Sequence, residues 1–139
     1  MARTLDVMAR MRRLVVEEAR QQLAICLQAE GGARETTRAA VAELGRERDH
    51  AGSVEFDDRM VEVYIAWLPH GRARLARAQA DLERAEAAST QARAQLAAAR
   101  AAAEAVDRRV RAAATAAREA LLAREQAALD EIAQNRGTR

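Results

Sequence analysis

Aromatic side chains are scarce in this chain, which has one phenylalanine, one tryptophan and one tyrosine among 139 residues. Half of the residues are nominally hydrophobic, but 37 of them are alanine, so large apolar side chains are also few. A compact globular core normally uses more bulky and aromatic area than this. A thin seam between two helices needs much less. The abundance of Ala, Arg, Glu, Leu and Gln is typical of long helices and coiled coils.

The chain has little cysteine, no lysine and little net charge. Cys26 is the single cysteine, and its place on the apolar stripe of the first predicted helix favours a buried thiol over a redox site. All 23 basic residues are arginine, and 21 acids leave a net charge of +2. The two signs are interleaved, which favours a solvated helix face over a nucleic-acid track.

Patterns that carry chemistry are lacking as well. His50 and His70 have no cysteine or histidine at ligand spacing, and there is no glycine-rich phosphate loop or nucleophile constellation. We therefore expect no enzymatic activity, no cofactor and no metal. The first residues lack an apolar run, and no charge-free stretch approaches the ~20 residues of a spanning helix. We expect a cytoplasmic protein without membrane insertion.

A seven-residue repeat runs without interruption from Val61 to Ala120. Such a repeat keeps one seam facing a partner helix, as a coiled coil requires. One lane is mainly alanine, which allows two helix backbones to approach closely. The other lane holds Val61, Leu68, Leu75, Leu82, Ser89, Leu96, Ala103, Val110 and Ala117. The sequence therefore predicts an all-α fold, a long two-helix antiparallel coiled-coil hairpin.

The predicted single hairpin has helix one over residues 4–48, a turn over 49–56, a longer helix two over 57–134 and a frayed tail over 135–139. Glycines at 31 and 32 loosen helix one locally without ending it. Pro69 predicts a kink in helix two, with a separate short helix over 57–67 as the alternative. The register of the apolar stripe on helix one shifts slightly along the helix, as at a coiled-coil stutter, because the spacing includes a few extra steps of four. The stripe runs through Leu5, Met8, Met11, Val15, Ala19, Leu23, Cys26, Glu30, Ala33, Thr37, Ala40 and Leu44.

The second helix is predicted to extend past the first. Counting outward from a turn near Gly52 places Arg3 opposite Ala101, so residues beyond Ala101 have no partner within the chain. A helix with an uncovered apolar stripe needs another surface, either a second copy of the chain or a different protein, unless its end frays. The stripe continues through Val106, Val110, Ala113, Leu121, Leu122, Leu129 and Ile132.

Trp67 lies outside both lanes of the repeat. Tryptophan is enriched at interface hot spots, so one interpretation is an exposed anchor for another protein. The alternative is that its side chain folds over the kink against Phe56 or the turn. Its neighbours on the helix surface are Tyr64, Leu68, Gly71 and Arg74.

Three local strings resemble the FliJ family of flagellar export proteins and the related YscO-type injectisome stalk proteins. They are VVEEAR at residues 15–20, YIAWL at 64–68 and AALDEIA at 127–133. The resemblance implies a stalk, peripheral to the inner membrane at the export apparatus, that sits in the pore of the hexameric export ATPase and promotes its assembly or activity. It also implies contacts with the cytoplasmic domain of the export-gate membrane protein and with export chaperones, and a monomer that binds no nucleic acid.

Two protein-binding regions follow from the resemblance and the predicted overhang. The gate or chaperone patch holds Tyr64, Trp67, Leu68, Gly71, Arg74 and Ala78. The ATPase end combines a basic tip with the overhanging stripe and holds Arg10, Arg13, Val106, Val110, Leu121, Leu122, Leu129 and Ile132. Two alternatives stay open: a structural coiled-coil homodimer or adaptor without an ATPase partner, and a nucleic-acid binder.

Overall fold

The computed structural model describes residues 2–53 and 58–138 of the chain. Helix α1 spans Ala2–Ser53 (52 residues) and helix α2 spans Asp58–Gly137 (80 residues). No strand occurs in these described ranges. The all-helical prediction is therefore confirmed at the level of its two helices, of which the second is the longer. Neither described helix has a stretch long and apolar enough to cross a membrane.

Both helices extend beyond their predicted ends. Helix α1 begins two residues before Thr4 and includes residues 49–53, which the sequence pattern assigns to the turn. Asp49 and His50 are tolerated in a helix, and Gly52, the one glycine of the predicted turn, lies in the last turn of α1. Helix α2 begins with Asp58 in its first turn and includes residues 135–137 of the predicted tail. The predicted turn residues 54–56, and residue 57, lie outside the described residues.

Internal glycine and proline do not divide the helices. Helix α1 continues through Gly31 and Gly32, and helix α2 continues through Pro69. The alternative of a separate short helix over 57–67 is therefore wrong. A proline inside a helix removes one backbone hydrogen bond and favours a bend, so the kink at Pro69 stays a prediction.

Burial along α2 follows the predicted seven-residue repeat. From Tyr64 to Val110 every position of both lanes is buried or half-buried, whereas the lane positions from 113 onward are exposed. Ala92 and Leu96 are only 3% and 7% exposed. The repeat therefore identifies the inward side of α2 over about 47 residues.

Helix α1 keeps a strict spacing of three and four in place of the predicted stutter. Between Ala19 and Leu44 the inward positions match the predicted stripe. Nearer the start, Ala9 is buried (6% exposed) and Val16 is half-buried, whereas Met11 and Val15 are 61% and 43% exposed. The straight lanes of α2 explain the difference, because a stutter in α1 would rotate its stripe away from them.

Residues 19–96 form one compact unit of the chain. Within it, a guanidinium nitrogen of Arg74 in α2 lies 3.0 Å from a carboxylate oxygen of Glu43 in α1. A guanidinium nitrogen of Arg34 in α1 lies 3.3 Å from a carboxylate oxygen of Glu86 in α2. In these two ion pairs, the residue that comes later in α2 contacts the residue that comes earlier in α1. Ala78, 5% exposed, accepts a hydrogen bond at its backbone oxygen from the hydroxyl of Thr37 at 3.2 Å. A side chain reaches the opposite backbone there because alanine leaves room.

Residues 1–18 and 97–139 form the other unit. Arg13 lies 3.5 Å from Asp107, and Leu5 shares a groove with Val110 and Ala117. These contacts lie farther along α2 than the expected pairing of Arg3 with Ala101. The cause is that α1 continues to residue 53. A given α1 residue therefore faces an α2 residue of higher number than a turn near Gly52 predicts. The part of α2 without a partner therefore begins near residue 118.

Candidate protein-binding surfaces

The C-terminal arm, defined as residues 118–137 of α2, is uncovered. Every residue from 111 to 138 is exposed. The four large apolar side chains of the arm, Leu121, Leu122, Leu129 and Ile132, are 52–63% exposed. Leu122, Leu129 and Ile132 recur at steps of seven and three, so they lie along one side of the helix. An exposed apolar side of this kind marks an interaction surface.

Of the remaining residues of the predicted ATPase end, the two arginines lie on the surface and the two valines lie in the seam between the helices. Arg10 is exposed, and the side chain of Arg13 is 71% exposed although it reaches Asp107. Val106 is only 7% exposed and Val110 is half-buried, so these two valines pack within the chain. Of the residues of the predicted ATPase end, only the two arginines and those of the arm are exposed.

A second apolar surface lies on α1 and was missed by the sequence analysis. This α1 outer face consists of Val7, Met8, Met11, Leu14 and Val15, which are 37–66% exposed. Three of its members, at positions 7, 11 and 14, follow the spacing of a helix face. The signal was therefore present in the sequence. It was hidden because Met8, Met11 and Val15 also fitted the stripe that was assigned to the seam.

The ring of Trp67 lies across Gly71. A Cβ atom added at Gly71 would lie 2.6 Å and 2.8 Å from two carbons of this ring and 2.9 Å from Cδ2 of Leu44. The ring also stacks on Tyr64, with ring centroids 6.4 Å apart and planes inclined by 29°. Trp67 is half-buried as a result. It combines features of both interpretations, because one side packs within the chain and another is accessible.

Trp67 and Tyr64 line a shallow groove of about 130 Å³. The other walls come from the end of α1 and the first turns of α2, through Glu47, His50, Ala51, Met60 and Val63. An open groove with two aromatic rings and one carboxylate at its edge suits a small apolar side chain of another protein.

The other residues of the predicted gate or chaperone patch point elsewhere. Gly71 and Ala78 are buried because both belong to the alanine lane. Leu68 is half-buried in the other lane, and Arg74 donates a hydrogen bond to Glu43 at 3.0 Å. The accessible part of this patch is therefore the Tyr64–Trp67 pair together with Arg74, whose side chain is 63% exposed.

A polar layer interrupts the seam of the unit formed by residues 19–96. Ser89 is fully buried, and the Glu30 side chain is 12% exposed. Arg34 lies 2.7 Å from Glu30 and 3.3 Å from Glu86, so it joins the two helices. Oε2 of Glu30 and Oγ of Ser89 have no hydrogen-bond partner in the described structure. Buried polar groups in a helical seam lower stability and restrict its register.

Potential ligand groups are sparse in the described residues. No group of three or more His, Cys, Asp or Glu side chains there is arranged to hold a metal ion. The half-buried Cys26 has its Sγ 3.9 Å from the side-chain nitrogen of Gln22.

In a comparison with known proteins, the chain matches no family model, no curated protein and no solved structure. The resemblance to the FliJ family therefore rests on the three sequence strings alone.

Proposed function

We propose that this protein is an export stalk of the FliJ type. In this role it binds the hexameric export ATPase as a single copy in the pore, promotes assembly and activity of the ring, and contacts the export gate and export chaperones. It acts in the cytoplasm, peripheral to the inner membrane. One observation supports the proposal above the others: a long helical arm is exposed over its whole described length and carries four exposed large apolar side chains.

The proposed stalk is an antiparallel coiled coil with a kink in α2 at Pro69. Support for the direction comes from each unit separately. In one, Arg74 pairs with Glu43 and Glu86 with Arg34; in the other, Asp107 pairs with Arg13 and the later Ala117 shares a groove with the earlier Leu5. Support for tight packing comes from the buried alanines of α2. A coiled coil of this kind is stiff enough to transmit a push or a rotation from one partner to another.

Reconstitution with the export ATPase tests the function. The full chain is mixed with the purified ATPase, and both co-elution and ATP turnover are measured with and without it. We expect a complex and faster turnover. Leu122→Glu with Leu129→Glu should remove both effects, because two carboxylates would have to be desolvated at the contact.

A matched control uses exposed apolar residues away from the arm. Ile25 and Val41 are 60% and 53% exposed on α1. Ile25→Glu with Val41→Glu introduces the same charge and should leave binding and turnover unchanged. Equal loss in both variants would show a nonspecific charge effect, and an ATPase unaffected by the wild-type chain would remove the proposal.

The second candidate function is a structural coiled-coil homodimer or adaptor that has no ATPase partner. The same exposed arm favours it, since the arm requires cover from some surface. The two candidates differ in one readout, because only the stalk changes the rate of ATP hydrolysis.

A further inference from the structure

We propose that Glu30 and Ser89 form a layer of the seam that selects one of two registers available to the helices of the unit formed by residues 19–96. In the second register, one heptad away, each α1 residue is level with an α2 residue seven positions earlier. All contacts that support this inference lie within that unit. The inference does not rest on the export function, because it concerns how α1 and α2 pair in the free chain.

Glu30 and Ser89 lie at the same level of the seam. Arg34 contacts Glu86 across the seam at 3.3 Å. Glu30 lies four residues before Arg34, and Ser89 lies three residues after Glu86, which is about one helical turn in each case. Because the later residue of α2 meets the earlier residue of α1 in the ion pairs of this unit, the two steps lead to one layer.

The two residues are exceptions in otherwise apolar stripes. Glu30 is the only charged residue of the α1 stripe between Ala19 and Leu44, and Ser89 is the only polar residue of its α2 lane. The Glu30 side chain is 12% exposed and Ser89 is fully buried. Oε2 of Glu30 and Oγ of Ser89 have no hydrogen-bond partner in the described structure. A carboxylate oxygen accepts and a hydroxyl donates, so the two groups are complementary.

The remaining layers of the seam fit equally well after a shift of one heptad. One lane of α2 has leucine at positions 68, 75 and 82, and the other has glycine at 71 followed by alanine at 78, 85 and 92. A shift of seven residues therefore replaces leucine by leucine, and alanine by alanine or glycine. These apolar side chains alone do not distinguish the two registers.

The positions of the helix ends allow a shift in one direction. Ala51 of α1 lines a groove with Val63 and Trp67 of α2. Asp58, where α2 begins, lies five residues before Val63 and therefore beyond the end of α1 at Ser53. A shift toward earlier α2 residues brings these two helix ends closer together. The opposite shift moves them about 10 Å farther apart, at ~1.5 Å per residue, and the short connection opposes it.

The Glu30–Ser89 layer makes the two registers unequal. In the shifted register Glu30 is level with Leu82, and Ser89 is level with Leu23, so each polar group faces a leucine. A buried carboxylate that faces only apolar side chains is desolvated without compensation. A polar residue that is matched within its own layer fixes the register of a coiled coil at a cost in stability.

Distances between two spin labels on the full chain test this inference. One nitroxide is attached at Val41→Cys (53% exposed) in α1 and one at the exposed Thr90→Cys in α2, with Cys26→Ala to remove the natural thiol. Thr90 is level with a part of α1 that precedes Val41, so the shift lengthens the label distance by about 10 Å, seven residues at ~1.5 Å each. Double electron–electron resonance measures this distance, and circular dichroism follows helicity.

Two variants of the labelled chain change the layer. Glu30→Leu with Ser89→Leu removes it, and we expect two label distances, the original one and one about 10 Å longer. Leu82→Ser with Ser89→Leu keeps the composition and moves the serine one heptad earlier, level with Glu30 in the shifted register. We expect the longer distance to predominate in this serine exchange.

The matched control is Glu35→Leu with Gln79→Leu, which also adds two leucines but at exposed positions of the two helices. This control and the labelled chain with an intact layer should give only the original distance, and a second distance in either overturns the inference. So does the original distance alone in a layer variant that retains full helicity. If removal of the layer abolishes helicity, the serine exchange decides, because loss of helicity there as well shows that the shifted register is not a stable packing.

Discussion

At the scale of single residues, the position of the one tryptophan depends on a glycine four residues later. Gly71→Ala would place a Cβ atom within 3 Å of the Trp67 ring and of Leu44. Overpacking of this kind costs typically ~1–3 kcal/mol, which exceeds the gain of about 1 kcal/mol in helix propensity. We expect a net loss of stability and a shift in Trp67 fluorescence, measured in the same thermal unfolding experiment.

Gly45 provides the control for that substitution, because a Cβ added there meets nothing within 4 Å. Gly45→Ala should raise the free energy of unfolding by up to about 1 kcal/mol and leave the emission unchanged. If Gly71→Ala stabilises the chain as much as Gly45→Ala does, the contact between the ring and Gly71 is not maintained in solution.

Trp67 itself has both an internal and an external role. Trp67→Ala removes the stack on Tyr64 and opens the groove, so binding to the gate domain or an export chaperone should weaken by ~2 kcal/mol or more. Far-ultraviolet circular dichroism should change little, because the half-buried ring adds no backbone hydrogen bond. Binding is measured by titration calorimetry. Collapse of helicity together with binding would show that the ring is purely structural.

The buried hydroxyl of Ser89 is a site where the wild-type residue lowers stability. Its Oγ atom has no hydrogen-bond partner in the described structure. Ser89→Ala removes an unsatisfied polar group at nearly constant volume, so the free energy of unfolding should rise by about 1 kcal/mol. Urea denaturation measures the change. The neighbouring exposed Thr90 gives the comparison, and Thr90→Ala should have little effect; destabilisation by Ser89→Ala would show that the hydroxyl is hydrogen-bonded in solution.

At the scale of the helices, a few cross-helix ion pairs fix how α1 lies against α2. Arg34 contacts both Glu30 of its own helix and Glu86 of the other. Arg34→Ala should lower the free energy of unfolding by about 1 kcal/mol, because the mostly buried Glu30 carboxylate loses its cation. Arg38, paired with Glu35 and 73% exposed in its side chain, is the matched control.

Arg38→Ala should change stability by no more than about 0.5 kcal/mol, the usual worth of an exposed pair within one helix. Equal effects of the two substitutions, measured by urea denaturation of each variant, would contradict a special role for the layer around Glu30. The salt dependence should differ too. Screening by salt affects the exposed pair more than the partly buried one.

At the scale of the whole molecule, stability is expected to be uneven along α2. Lane positions from Tyr64 to Val110 are buried or half-buried, whereas residues 111–138 are all exposed. Backbone hydrogen bonds without tertiary cover open readily. Hydrogen exchange of the dilute chain should therefore show slow amides in the covered part and fast amides over residues 118–137. Protection of the arm in the dilute chain would show that it is covered within its own chain.

The inward lanes of α2 were predictable because a seven-residue repeat is a local property of the sequence. The positions of α1 that face inward near its start were not predictable in this way. Met8 and Met11 are larger than Ala9, and Val15 is the same residue as Val16, yet Ala9 and Val16 are the ones that face the straight lanes of α2. Trp67 was recognisable as unusual, but the contact with Gly71 depends on side-chain packing that spacing alone does not give.

The sequence by itself determined the class of the fold, because alanine-rich, aromatic-poor helices with a regular apolar repeat have no other economical way to bury their apolar side. Tertiary structure decided the register, since α1 continues to Ser53 and its partners therefore lie farther along α2 than a turn near Gly52 predicts. The register in turn decides which apolar residues are left outside. Val106 and Val110 are inside, and the arm and the α1 outer face are exposed because no other described part of the chain covers them.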